Sequence, residues 1–77
     1  MIFYYKRRCS VSRQMYLFAR HWLDRDQFLS YLARYRNDYQ DDELVEVPRA
    51  CVVRLFGVEF VRQFHSVEGA TVEWPFQ

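Results

Sequence analysis

Residues 12–43 read SRQMYLFARHWLDRDQFLSYLARYRNDYQDDE, and the expected fold turns on them. Across these 32 positions there is no Val, Ile, Thr, Gly or Pro. β-Branched residues favour strands and Gly or Pro punctuate the chain, so their joint absence predicts helix. The stretch carries an internal start signal at Asp24-Arg25-Asp26-Gln27. Asp24 there can accept from the amide of Gln27 while the Gln27 side chain reaches back, a capping box, with Leu23 and Phe28 spaced as a hydrophobic staple. The expectation is therefore a helix over about 13–23, with Met15, Phe18, Ala19 and Trp22 on one face. A second helix follows over about 25–39, with Phe28, Leu32, Tyr35 and Tyr39 facing inward. A single kinked helix is the alternative.

Working outward, Ile2 to Arg8 pairs Phe and Tyr with basic ends and reads as a strand. Asp41-Asp42-Glu43 reads as a solvated turn, and Leu44 to Val47 as a short strand stopped by Pro48. A third helix is expected from about Arg49 to Val67, its apolar stripe formed by Val53, Phe56, Phe60, Phe64 and Val67. Pro48 suits its start and Gly69 its C-terminal cap. Gly57 inside it costs up to about 1 kcal/mol against Ala and marks close packing. Thr71 to Phe76 alternates apolar and polar, a strand whose Pro75 places it at a sheet edge. The order β-α-α-β-α-β predicts one α+β domain spanning residues 1–77. The terminal strands would form its small sheet, with the helices packed on one face.

Seven Phe, six Tyr and two Trp in 77 residues supply large buried areas, while two Gly and two Pro leave little loop. No stretch approaches the roughly 20 apolar residues of a membrane span. The basic residues at the start follow the apolar ones, the reverse of an export signal, which predicts a cytoplasmic protein with Cys9 and Cys51 as free thiols. Cys9, His21, Cys51 and His65 match a zinc ligand count, but none stands at the close spacing that structural sites use. The acidic run over 37–43 lacks the glycine and terminal Glu of a calcium loop. No Gly-rich phosphate loop, nucleophile elbow or zinc-protease motif is present. The expectation is a protein that is not an enzyme and needs no metal or cofactor.

Charge is unevenly spread beneath the formal net value of +1. Residues 1–20 hold Lys6, Arg7, Arg8, Arg13 and Arg20 with no acid, whereas residues 37–50 hold five acids against Arg49. Such a bipolar chain points to two opposed docking surfaces. Tyr31, Tyr35 and Tyr39 recur at helical spacing beside Arg34, and Tyr and Arg dominate protein–protein hot spots. The expected function is binding of another macromolecule, a protein first, as an inhibitor or adaptor. A phage- or mobile-element-encoded inhibitor of a bacterial defence nuclease or transcription complex is one instance of that design. Tyr31, Arg34, Tyr35, Asp38, Asp41, Asp42 and Glu43 would carry the contact. The alternative is a nucleic-acid-binding regulator using Tyr4, Lys6, Arg7, Arg8 and Arg13, which interleave π-faces with positive charge. No membrane partner is expected, and a homodimer is compatible with either reading.

Overall fold

Ile2–Arg8 forms strand β1, and its side chains alternate between two buried faces. A computed structural model describes residues 1–64 and 70–76. After β1 come β2 (Met15–His21), α1 (Arg25–Asp38), β3 (Glu43–Val47), α2 (Arg49–Phe56), α3 (Val58–Phe64) and β4 (Thr71–Glu73). The strands form one sheet in the order β3-β1-β2-β4, every neighbouring pair antiparallel. The α+β class expected from the sequence is the class observed.

Residues 15–21 correct the first expected helix. They pair with β1 over the full length of both strands, from Ile2 opposite His21 to Arg8 opposite Met15. β2 is an inner strand with side chains buried on both faces. Leu17 and Ala19 point to one side and Phe18 to the other. A strand buried on both sides loses the polar–apolar alternation by which strands are read, and its Tyr and Phe are good strand formers in their own right. The preceding turn also lacks Gly, Pro, Asn and Asp. Arg13 adopts φ 63° where Gly or Asn would be ordinary, its N–H donating to the Cys9 carbonyl at 2.8 Å. The hairpin is therefore closed by a conformation that no Gly announces.

The single-faced helix layer is the second correction. Tyr4 and Tyr5 are successive residues on β1, so the pleat sends them to opposite faces. Tyr4 is 1% exposed among Leu17, Val47, Val52 and Val61, and Tyr5 is 3% exposed among Phe28, Leu32 and Leu44. Helix α1 covers the Tyr5 face, and α2 with α3 covers the Tyr4 face. The chain order is thus β-β-α-β-α-α-β, and the terminal strands β1 and β4 share the sheet without being neighbours.

The start of α1 follows the capping signal. Asp24 Oδ1 accepts from Gln27 N at 2.8 Å, and Gln27 Oε1 accepts from Leu23 N at 2.7 Å. The hydrophobic staple does not form, because Leu23 is 81% exposed and Trp22 packs on Phe28 instead, ring centroids 5.4 Å apart. The inward stripe of α1 is Phe28 and Leu32 with Tyr31 and Tyr35 partly buried beside them. Tyr39 lies at the C-cap, with φ −127° and ψ 69°, and so leaves the helical face.

The third expected helix is two helices. Gly57 takes φ 93° and ψ 158°, a conformation essentially reserved for glycine, and the chain bends there from α2 into α3. Close packing is not the reason for this glycine, since a Cβ there would meet nothing within 4 Å. The bend also resets the buried stripe, which includes Val52 and Val61 as well as Phe64. Phe56 and Phe60 still stack across the bend at 4.6 Å. The expected stripe member Val67 and cap Gly69 lie outside the described residues. β4 ends at Glu73, before Pro75, and is an edge strand as the proline implied.

Substituting Gly57→Ala strains the backbone without creating a clash. Urea unfolding should register a loss of about 1–3 kcal/mol. A change within about 0.5 kcal/mol, the ordinary surface value, would show that the bend does not depend on glycine.

Candidate interaction surface

Aromatic side chains run in unbroken contact across the α1 face of the sheet. Phe3 stacks on Phe28 at 4.9 Å, and Tyr5 stacks on Phe18 at 4.9 Å while also touching Phe28. Tyr31 bridges Tyr5, Trp22 and Tyr35, and Tyr35 stacks on Tyr39 at 4.6 Å. Burial pushes the Tyr5 phenol well above its usual range, reinforced by the Tyr31 hydroxyl 3.4 Å away. Burial likewise raises Tyr35, to about 12. Both rings therefore stay neutral at physiological pH. Tyr31 and Tyr35 cover the core; Tyr39, 55% exposed, is where the row reaches solvent.

The basic and acidic segments do not form two opposed surfaces. Antiparallel pairing of β1 with β3 sets Arg8 opposite Glu43 and Arg7 opposite Leu44. Arg7 Nε lies 3.4 Å from Asp42 Oδ2 with its guanidinium over the Tyr35 ring, and Arg8 Nε lies 3.5 Å from Glu43 Oε2. Arg25 grips Glu46 with both terminal nitrogens at 2.7 and 2.8 Å, a bidentate pair that raises the Arg25 pKa further. Arg7 and Arg8 of the basic segment are thus paired with Asp42 and Glu43 of the acidic one, while Lys6, Arg13 and Arg20 meet no carboxylate among the described residues. The two segments lie side by side, which corrects the bipolar reading.

Asp42 is a structural residue rather than a loop charge. Its side chain is 8% exposed, and Oδ1 accepts from the Ser10 amide at 3.0 Å. That hydrogen bond, followed by the Ser10 hydroxyl, Arg7 and the Tyr35 hydroxyl, holds its carboxyl below the usual range against the opposing effect of burial. It ties the β1–β2 hairpin loop to the turn before β3. Arg36 makes a second tie, donating from Nε and Nη2 to the Leu44 carbonyl at 3.1 and 2.9 Å. This places a guanidinium on the free edge of β3, where an unpaired carbonyl invites another strand.

The residues expected at a protein interface therefore divide. Arg34, Asp38 and Asp41 are exposed with no ion-pair or hydrogen-bond partner among the described residues. Tyr31, Tyr35 and Asp42 are tied into the fold, and Glu43 is exposed in an ion pair with Arg8. Tyr39, expected on the inward face of the helix, is instead exposed, because α1 ends at Asp38 and Tyr39 takes the C-cap. The residues of the nucleic-acid alternative divide in the same way. Tyr4 is buried and offers no face to a base, while Arg7 and Arg8 already hold carboxylates. Lys6 sits over the Trp74 ring at 4.8 Å. Arg13 is exposed in the hairpin turn.

Cys9 and Cys51 are free and partly buried. The Ser12 and Val11 amides lower the Cys9 pKa, with Arg7 contributing. Among the described residues no group of three His, Cys, Asp or Glu side chains converges as metal ligands; His65 lies outside them. No described helix is long and apolar enough to cross a membrane.

The lowered Asp42 pKa carries a pH dependence. The unfolded aspartate titrates near ~3.9 and the folded one lower, so the unfolded state takes up the proton first. Asp42 therefore stabilises the fold above that value, and its contribution is lost as the pH falls through and below it. In urea titrations the Asp42→Asn protein should be the less stable at neutral pH, with the gap to the parent closing in acid. Parallel stability curves would remove Asp42 from this role.

No family model, curated protein or solved structure matches the chain.

Proposed function

We propose that this protein is a non-enzymatic protein-binding module, an inhibitor or adaptor, whose contact surface is the end of α1 and the turn that follows it. The reading rests on Tyr39. This ring is stacked on Tyr35 at the end of a packed aromatic row, more than half exposed, and flanked by Asp38 and Asp41. A pre-positioned tyrosine gives up little conformational freedom on binding and presents both an apolar ring and a hydroxyl. Arg34 lies a turn before Asp38 on α1 and is exposed. A partner with a basic rim and an apolar slot would match this chemistry. Two unpaired thiols suit a reducing, cytoplasmic setting.

Nucleic acid is the less favoured ligand. Its phosphates would meet Asp38 and Asp41 here, and the basic side chains of β1 are occupied by carboxylates or by Trp74.

Replacing the whole acidic turn would confound binding with folding, because Asp42 is structural. The cleaner experiment places a photo-crosslinking phenylalanine analogue at position 39 and identifies adducts in the source cells by mass spectrometry, with and without nuclease. A protein adduct that survives nuclease and is lost in an Asp38→Asn, Asp41→Asn background is expected. Adducts to nucleic acid alone, or none while the protein remains folded, would overturn the assignment.

A further inference from the structure

Arg49, Val53, Val58, Val61 and Arg62 line a groove of about 340 Å³ where α2 meets α3. It belongs to the helical layer on the far side of the sheet from α1 and Tyr39. Its shape comes from the bend at Gly57, which turns α3 away from the line of α2 and leaves an opening between them. Val61 is buried and forms the floor, Val53 is partly buried, and Val58 is 57% exposed at the rim. An aliphatic side chain left in water at the mouth of an apolar groove is surface that association can bury.

Arg49 and Arg62 are the charged residues of this lining, and Arg49 differs from four other arginines of the chain. Arg7, Arg8 and Arg25 each face a carboxylate, and Arg36 donates to a backbone carbonyl. Arg49 has no ion-pair or hydrogen-bond partner among the described residues. Arg62 has only Glu59, 3.3 Å away one turn earlier, with both side chains largely in solvent. An exposed pair of that kind holds its partner weakly. Beside an apolar floor, a carboxylate brought to either guanidinium would be less screened than in open water.

We infer that this groove docks a peptide segment of a second protein that presents an aliphatic or aromatic side chain flanked by carboxylates. The apolar side chain sits over Val61 between Val53 and Val58, and the carboxylates meet Arg49 and Arg62, whose planar guanidinium groups match carboxylate geometry. A nucleic-acid strand fits this place poorly. The valine floor offers phosphate no donor, and among the described residues no aromatic ring lines the groove for a base to stack on. The surface around Tyr39 is acidic and this one basic, and they lie in opposite layers, so the two would engage chemically opposite partners at once. That is the geometry of an adaptor, and the groove stands or falls independently of Tyr39.

The test is fluorescence anisotropy with a labelled twelve-residue peptide rich in Glu and Asp and carrying two leucines four positions apart. The full chain should bind it saturably, weaken as salt rises, and ignore the same peptide with Lys in place of the acids. Arg49→Glu with Arg62→Glu should weaken binding by about tenfold or more, equivalent to 1.4 kcal/mol, and Val58→Asp should do likewise. Both variants alter exposed side chains, and circular dichroism checks that they stay folded. Tyr39→Ala should leave peptide binding unchanged. Three results would overturn the inference: no saturable binding, equal binding of the basic peptide, or binding that both groove variants leave intact. Competition by a single-stranded oligonucleotide that is lost in the arginine variants would reassign the groove to nucleic acid. A concentration-dependent dimer abolished by Val58→Asp would give it to a second copy of the chain. Either of these also ends the proposal.

Discussion

The pleat of β1 sends Tyr4 and Tyr5 into separate cores, and every other element is arranged around that division. A strand whose successive side chains are both buried must be covered on both faces. In 77 residues this takes all three helices, α1 on one side and the bent pair α2 and α3 on the other. It also requires β1 to be an inner strand, flanked by β2 and β3. Large aromatic side chains make the arrangement workable in so short a chain. Tyrosine is well suited to it, since the ring fills the core while the hydroxyl finds a polar neighbour, as Tyr5 does with Tyr31.

The same strand decides where the charges go. Its basic end would be an anion-binding segment if it stood alone. Antiparallel pairing with β3 brings the acids of residues 42–46 alongside it, so Arg7 and Arg8 are answered within the fold and Arg25 reaches the same strand from α1. Individually such pairs contribute modestly, but they come with a pairing that sets the two charged segments side by side instead of apart. The charged groups proposed to meet partners are accordingly differently placed: Asp38 and Asp41 around Tyr39 on one side of the sheet, and Arg49 and Arg62 around a valine groove on the other. Local runs of charge predict docking surfaces only where the chain does not fold them against each other.

Legibility followed the directness of the local signal. The Asp24–Gln27 box is satisfied within four residues of chain, and the helix begins where it says. β1, β3 and the edge position of β4 were likewise readable from aromatic content, a terminating proline and alternation. β2 was not, because two-sided burial erases the alternation and leaves an apolar spacing that mimics a helix. The turn before it, closed by Arg13 at positive φ, carries no glycine to betray it. Gly57 acts through dihedral freedom and not tight packing, two roles that a glycine inside a helical pattern does not distinguish. Within the candidate site, Arg34, Asp38 and Asp41 could be placed from helix phase and polarity. Tyr39 could not, because its exposure depends on the helix ending one residue earlier.

The sequence by itself determined the α+β class, the cap of α1, the aromatic supply of the cores and the absence of any long apolar span. Each of these depends on composition or on neighbours within a turn or two of chain. Only the tertiary structure decided that residues 15–21 are a strand, that the helices lie on both faces, and which charges remain for a partner. Those outcomes depend on β1 meeting β2 and β3 in a particular register, and strand pairing joins residues up to 57 positions apart. A local reading of side chains carries no information about contacts made at that distance.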